Sequence, residues 1–174
     1  MPKLIPDLKA KLQEEARRQI SELGYGAVSI RSIARGCGVG TGTVYNYFSS
    51  KEALVASFLA NDWRESVARI SALADTGADA DTVLRACYTE LSDFNQRHTD
   101  LFASAGKTGI TITHAYHTIL RNQIASHLRP FAEDGFTAEF IAEALITWTV
   151  EGVPYNELRR VLLKTLPAPS ASDA

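Results

Sequence analysis

The chain has 174 residues, 45% of them hydrophobic and 22% charged, which suits a globular protein with one large domain or two small ones. A net charge of −2 excludes both a uniformly basic protein that coats nucleic acid and an acidic disordered tail. The total hides a division: residues 1–52 carry a net +3, and the remainder carries −5. Charge split in this way suggests that one end meets a polyanion and the other does not.

Two cysteines, Cys37 and Cys87, lie far apart in apolar helical patterns and build neither a disulfide framework nor a zinc motif. Cys37 reads as a small core residue with an inert thiol. No signal peptide is visible in the charged first helix, and no run of about 18 apolar residues offers a membrane span. The expected location is the cytoplasm, with no membrane partner.

The periodicity is helical almost throughout. Pro6 opens a first helix with apolar positions Leu8, Leu12, Ala16, Ile20 and Leu23, closed by Gly24 and Gly26. Ser29 caps a short helix through Ile30, Ile33, Ala34 and Cys37, ended by Gly38. Gly40 and Thr41 precede another short helix carrying Val44, Tyr45 and Phe48. Ser49 and Glu52 match a capping box that opens a long helix with Leu54, Val55, Phe58, Leu59, Trp63, Val67 and Ile70. A polar break around Gly77 follows, then a helix over about 80–97 and a short one near 100–105. Gly106 and Gly109 break the chain before a long helix whose last turn is marked by Pro130 and whose end is marked by Gly135. Two more helices are expected at about 137–150 and 154–166, and the Pro/Ala/Ser-rich stretch 167–174 reads as a disordered tail. The fold class is all-α, with about nine helices.

The most informative stretch is residues 29–48, two short helices separated by a glycine-containing turn, which is helix-turn-helix geometry. Gly38 can supply the positive φ of the turn, and Ala34 lets the helices approach. Outward, the second helix presents Thr41, Thr43, Tyr45, Asn46 and Tyr47, with no acid among them. Hydroxyl and amide groups of this kind donate to phosphate oxygens and to base edges in the major groove. Three aromatics in four residues cannot share one helical face, so Phe48 is assigned to the core and at least one tyrosine to DNA.

The Ile-Ala-x-x-x-Gly-Val helix and turn, then Tyr-x-Tyr-Phe and Ser-Ser-Lys-Glu-x-Leu, resemble the tetracycline-repressor (TetR) family of bacterial transcriptional regulators over residues 23–54. The resemblance implies a homodimer with an N-terminal DNA-binding domain, residues 1–52, and an effector-binding and dimerising domain, residues 53–166. It also implies a palindromic double-stranded operator and an unknown small-molecule effector, with no cofactor. Carried over by position, Thr43, Tyr45 and Tyr47 contact phosphates or the groove wall, and Thr41 and Asn46 read base edges. Lys51 meets a phosphate at a helix N-terminus, and Ser29 and Arg31 grip the DNA backbone. Where the family often has serine, this chain has Gly40, so the cap is expected to shift to Thr41; Gly42 leaves its side of the helix bare.

The C-terminal half is rich in amphipathic aromatics and histidines. An effector pocket is expected among Trp63, Tyr88, Phe94, His98, Phe102, His114, Tyr116, His117 and Trp148; the alternative is that most of these aromatics fill the core. His114 and His117 have metal-compatible i, i+3 spacing, but no Cys or carboxylate nearby in sequence completes a set, and no metal is assigned. Apolar stripes Phe140, Ile141, Leu145 and Trp148, then Tyr155, Leu158 and Leu162, suit the dimer interface that the resemblance places on the last two helices. The alternatives are a DNA-binding protein without an effector and a small all-α enzyme. The latter lacks a nucleophile–base pair or a Glu-x-x-His set.

Overall fold

The computed structural model describes the backbone of residues 7–104 and 106–167, and the side chains of the same residues outside 104–116. Pro6, the tail beyond Pro167 and the side chains of His114 and Tyr116 lie outside the described residues. Among the described residues there are nine α-helices, three short 3-10 turns and no strand.

Helix α1 (Leu8–Leu23) buries Leu8, Leu12, Ala16 and Ile20 at four-residue spacing. Leu23 does not join them and is exposed, because the helix ends there: Gly24 takes a φ of 79° and its N–H closes on the Ile20 carbonyl at 2.8 Å. A 3-10 turn (Tyr25–Ala27) leads to α2 (Ile30–Gly36), and α3 (Thr41–Tyr45) follows. The long helix α4 (Lys51–Ala74) starts one residue later than the Ser49–Glu52 pattern implies. Ser50, not Ser49, is its cap, and its Oγ accepts the Ala53 N–H at 3.1 Å.

Gly77, at φ 76°, turns the chain into α5 (Ala80–Arg97), where Asp79 accepts the Thr82 N–H at 2.8 Å. Next come α6 (Thr99–Ser104) and α7 (Gly106–Leu128); Gly106 and Gly109, expected to break the chain, lie within α7. Pro130 sits in a 3-10 turn beyond α7. Gly135 is the first residue of α8 (Gly135–Val150) rather than a terminator, because Asp134 caps that helix through the Thr137 N–H at 2.7 Å. Helix α9 (Tyr155–Leu162) finishes in a 3-10 turn, Leu163–Thr165. No described helix is long and apolar enough to cross a membrane.

The chain forms two compact units, Met1–Trp63 with Arg97–Tyr116, and Arg64–Gln96 with His117–Ala174. The boundary expected after residue 52 falls in the first turn of α4. In the first unit, Arg17 of α1 grips Asp62 of α4 with both guanidinium nitrogens, one at 2.9 Å, and lies 4.7 Å from the Phe58 ring centroid. His98, just before α6, places Nε2 3.0 Å from the same carboxylate. Burial alone would raise the Asp62 pKa, but hydrogen bonds from His98 and Arg17 hold it well below the usual carboxylate range.

In the second unit, Tyr155 donates its hydroxyl to Asp81 at 2.7 Å, and Arg159 meets the same carboxylate at 2.8 Å. Tyr88 packs on Tyr155 with centroids 5.4 Å apart and donates its hydroxyl to the Val153 carbonyl. These links fasten α9 to α5 and account for the burial of Tyr155.

Candidate nucleic-acid interface

Helix α2 has a complete reciprocal cap. The Ser29 Oγ accepts the Ser32 N–H at 3.1 Å, and the Ser32 Oγ accepts the Ser29 N–H at 3.0 Å. Gly38 then adopts a φ of 67°, and the Val39 N–H returns to the Ala34 carbonyl at 2.9 Å. That closed turn sets α3 against α2, with Val44, Ile33 and Ala34 buried between neighbouring elements. Phe48 is buried, as assigned. Gly36 was not singled out by its sequence position, yet a Cβ there would meet the Glu15 side chain of α1, whose flexible carboxylate would have to move aside.

Helix α3 starts from Gly40 with no side-chain cap, so the expected shift of the cap to Thr41 does not occur. Extended backbone at Gly40 brings the Thr43 N–H onto its carbonyl at 2.9 Å, and Thr41 is left exposed as the first helical residue. Thr41, Gly42, Tyr45 and Asn46 all face outward, Tyr45 with 56% of its surface exposed. Thr43 and Tyr47 are half-buried, nearer the seam than the front of the helix. Regular helix stops at Tyr45, and Asn46 continues with helical backbone angles. A groove of about 570 Å³ lies beside this face, lined by Ser29, Arg31, Thr41, Tyr45, Ser50 and Lys51 among others. Glu52 is the one acid in its lining. Its carboxylate is held by its own backbone N–H and by Ser50, and it accepts the Tyr25 hydroxyl at 2.9 Å.

Lys51 is the residue whose placement departs most from expectation. Its ammonium donates to the carbonyls of Tyr25 at 3.0 Å and Val28 at 2.9 Å, and stands 3.8 Å over the Tyr25 ring centroid. Tyr25 carried no signal in the sequence beyond being an aromatic after a helix end. Its partners are 26 and 27 residues away. Cys37 also differs: it is half-buried rather than core, with Sγ 3.6 Å from the Lys11 carbonyl. Burial nonetheless raises its thiol pKa, so it remains protonated at neutral pH.

The expected effector-pocket residues are divided between the two units. Trp63, His98 and Phe102 belong to the first unit, where the His98 and Phe102 rings meet edge to face at 6.2 Å. Tyr88, Phe94, His117 and Trp148 belong to the second. Phe94 is fully buried, and His117 sits 3.3 Å from Glu143. Trp148 is 50% exposed on α8. The dimer stripe also needs correction. Ile141, Leu145, Tyr155, Leu158 and Leu162 are buried within the chain itself, on the inward faces of α8 and α9. The outward side of α8 carries Phe136, Phe140 and Trp148, with Phe136 and Phe140 stacked at 6.5 Å.

A capped helix, a positive-φ glycine turn and a second short helix with an exposed polar face define a helix-turn-helix protein. Residues 12–58 match the sequence profile of bacterial regulatory proteins of the tetR family. The HTH-type transcriptional regulator UidR of Escherichia coli K12 is 33% identical over 61 residues, 35% of this chain and 31% of that protein. The match therefore spans about a third of that relative's length. The fold likeness covers the whole chain. The multidrug binding protein EbrR, solved with imidazole, superposes with a TM-score of 0.68 at 20% identity, covering 97% of this chain and 100% of that one. Thermus thermophilus FadR, a TetR-family transcriptional repressor solved with lauroyl-CoA, gives 0.68 at 18% identity, covering 95% and 98%. Over residues 12–58 the chain is thus similar to the bacterial regulatory proteins of the tetR family, and its fold is that of the solved regulators.

Proposed function

We propose that the chain is a dimeric DNA-binding regulator, a repressor released from a palindromic operator by a small molecule. The observation that carries this reading is the outward face of α3, which offers Thr41, Gly42, Tyr45 and Asn46 and no acid. Thr41 and Asn46 are the base-edge readers, and Tyr45 and Arg31 contact phosphate beside the groove. A net +3 over residues 1–52 is modest, so affinity rests on two protomers and on directed contacts rather than on bulk attraction. Enrichment from a random duplex pool tests this. The expected product is an inverted repeat whose half-sites sit about one helical turn apart, or a multiple of that. A pool that fails to converge contradicts the reading.

The dimer face is the outward side of α8, an apolar surface that a water-facing helix would otherwise not carry. Phe140→Asp combined with Trp148→Asp is expected to give a monomer by analytical ultracentrifugation, with the helical circular-dichroism signal retained. Both side chains are about half exposed, so the chain's own core does not depend on them. A persistent dimer would place the interface elsewhere.

Ligand response is supported by EbrR and Thermus thermophilus FadR, which have the same fold and were solved with imidazole and with lauroyl-CoA. In this reading the effector prefers one of two arrangements of the dimer and lowers operator affinity by that difference, with α4 as the lever.

A further inference from the structure

Lys51 opens α4 at the rim of the groove, where a phosphate ligand would be useful, but its bonding points the other way. An ammonium has three N–H donors. Two of them are taken by the Tyr25 and Val28 carbonyls, and the Tyr25 ring lies 3.8 Å beneath the nitrogen. Burial lowers the Lys51 pKa, with Glu52 opposing, as befits a charge already partly withdrawn from water. The Tyr25 hydroxyl is meanwhile held by Glu52 at 2.9 Å, so adjacent residues of α4 grip the Tyr25–Val28 segment from two sides.

The consequence reaches the interface through one peptide group. The Val28 carbonyl and the Ser29 N–H belong to the same planar unit. One side of that plane receives the Lys51 ammonium at 2.9 Å, and the other donates to the Ser32 Oγ at 3.0 Å as half of the α2 capping box. Turning this peptide would loosen both bonds at once and release the start of α2, where Ser29 and Arg31 line the groove. We propose that Lys51 is a positioning residue of the DNA interface, fixing the Val28–Ser29 peptide and the α2 cap, and that it is not a phosphate ligand. This rests on the DNA-binding reading above.

The test compares wild type, Lys51→Met and Lys51→Arg on a duplex enriched by the wild-type chain, with affinity followed against salt. Met keeps the aliphatic stem on Tyr25 and removes the donors. The expected result is an affinity loss of about tenfold, the scale of a lost helix cap, with an unchanged salt slope. Arg is expected not to restore affinity, because a planar fork does not replace a compact ammonium set between two carbonyls. A slope shallower by about 0.9 per protomer, with rescue by Arg, would overturn the proposal in favour of a phosphate contact. Reductive methylation of the wild-type chain, read lysine by lysine, covers the case in which Lys51→Met does not fold. Lys51 is expected to label slowly with and without DNA. Rapid labelling in the free chain that DNA then suppresses would overturn the proposal. Wild type that binds no duplex overturns the underlying reading, and the proposal with it; wild type that binds, followed by Arg rescue, overturns the Lys51 assignment alone.

Discussion

Asp62→Ala is expected to destabilise the first unit by about 2–4 kcal/mol in chemical denaturation, among the larger single losses the chain can suffer. The carboxylate is shared by Arg17 and His98, and its own side chain is 15% exposed. Removing it leaves a guanidinium and a buried imidazole to find other partners. Arg17 is 37% exposed and can turn towards water or Glu14, 3.6 Å away, which keeps the figure below that of a fully buried pair. The pH dependence has a definite sign. The Asp62 carboxyl titrates below its unfolded value, so its contribution is whole above the ordinary carboxylate range and drains as pH falls towards its lowered folded value. Wild type and variant should therefore differ most at neutral pH and converge in acid. An equal gap at pH 7 and pH 3 would show that the loss is one of packing rather than of charge.

Gly42→Ala is expected to move stability and DNA affinity in opposite directions. Gly42 has ordinary helical backbone, and a Cβ built there meets nothing within 4 Å. Nothing inside the chain thus requires glycine, which costs a helix about 0.5–1 kcal/mol relative to alanine. Alanine should raise the melting temperature slightly, by less than the full propensity because α3 is only five residues long. The same methyl group stands on the face between Thr41 and Tyr45, where DNA backbone or base edges must come close. Loss of affinity by about tenfold or more is the expected result, as glycine permits an approach that a side chain blocks. Unchanged affinity together with higher stability would remove Gly42 from the interface. The two readouts separate a folding effect from a contact effect without a further control.

What was legible in the sequence is what is decided over short distances along the chain. The Ser29 cap, the Gly38 turn and the burial of Val44 and Phe48 each depend on residues within a few positions, and all are found. Helix boundaries set by a single capping atom were less legible: Ser49 and Ser50 are chemically equal candidates, and only the chain's path into α4 selects Ser50. The same holds for Gly40, which serves as a cap through backbone conformation alone. Distant pairing was not legible. Arg17 and Asp62 are separated by 45 positions, and Lys51 and Tyr25 by 26, so neither bond leaves a pattern in composition or period. The α8 stripe was legible only in part, for another reason. Apolar residues there surround the helix, so periodicity cannot tell an inward Ile141 or Leu145 from an outward Phe140 or Trp148.

The division of charge at residue 52 gains a physical location from the fold. Its positive part contains α1, α2, α3 and the groove beside them, and several of its charges are already paired inside the chain. Arg17 is spent on Asp62, Arg18 on Glu15 and Glu22, and Lys51 on carbonyls. Arg31 is thus the exposed cation of the groove lining, and the uncharged donors of α3 carry more of the recognition than net charge alone would imply.

The central claim is that α3 reads DNA in a sequence-dependent way. The most direct measurement is a gel-shift titration of the chain against the DNA upstream of its own coding region, at moderate salt, with excess unrelated duplex as competitor. The account predicts a discrete shifted species that survives the competitor and is lost when Thr41 and Asn46 are both replaced by alanine. A shift that the competitor abolishes, or one that the double variant retains undiminished, would contradict it.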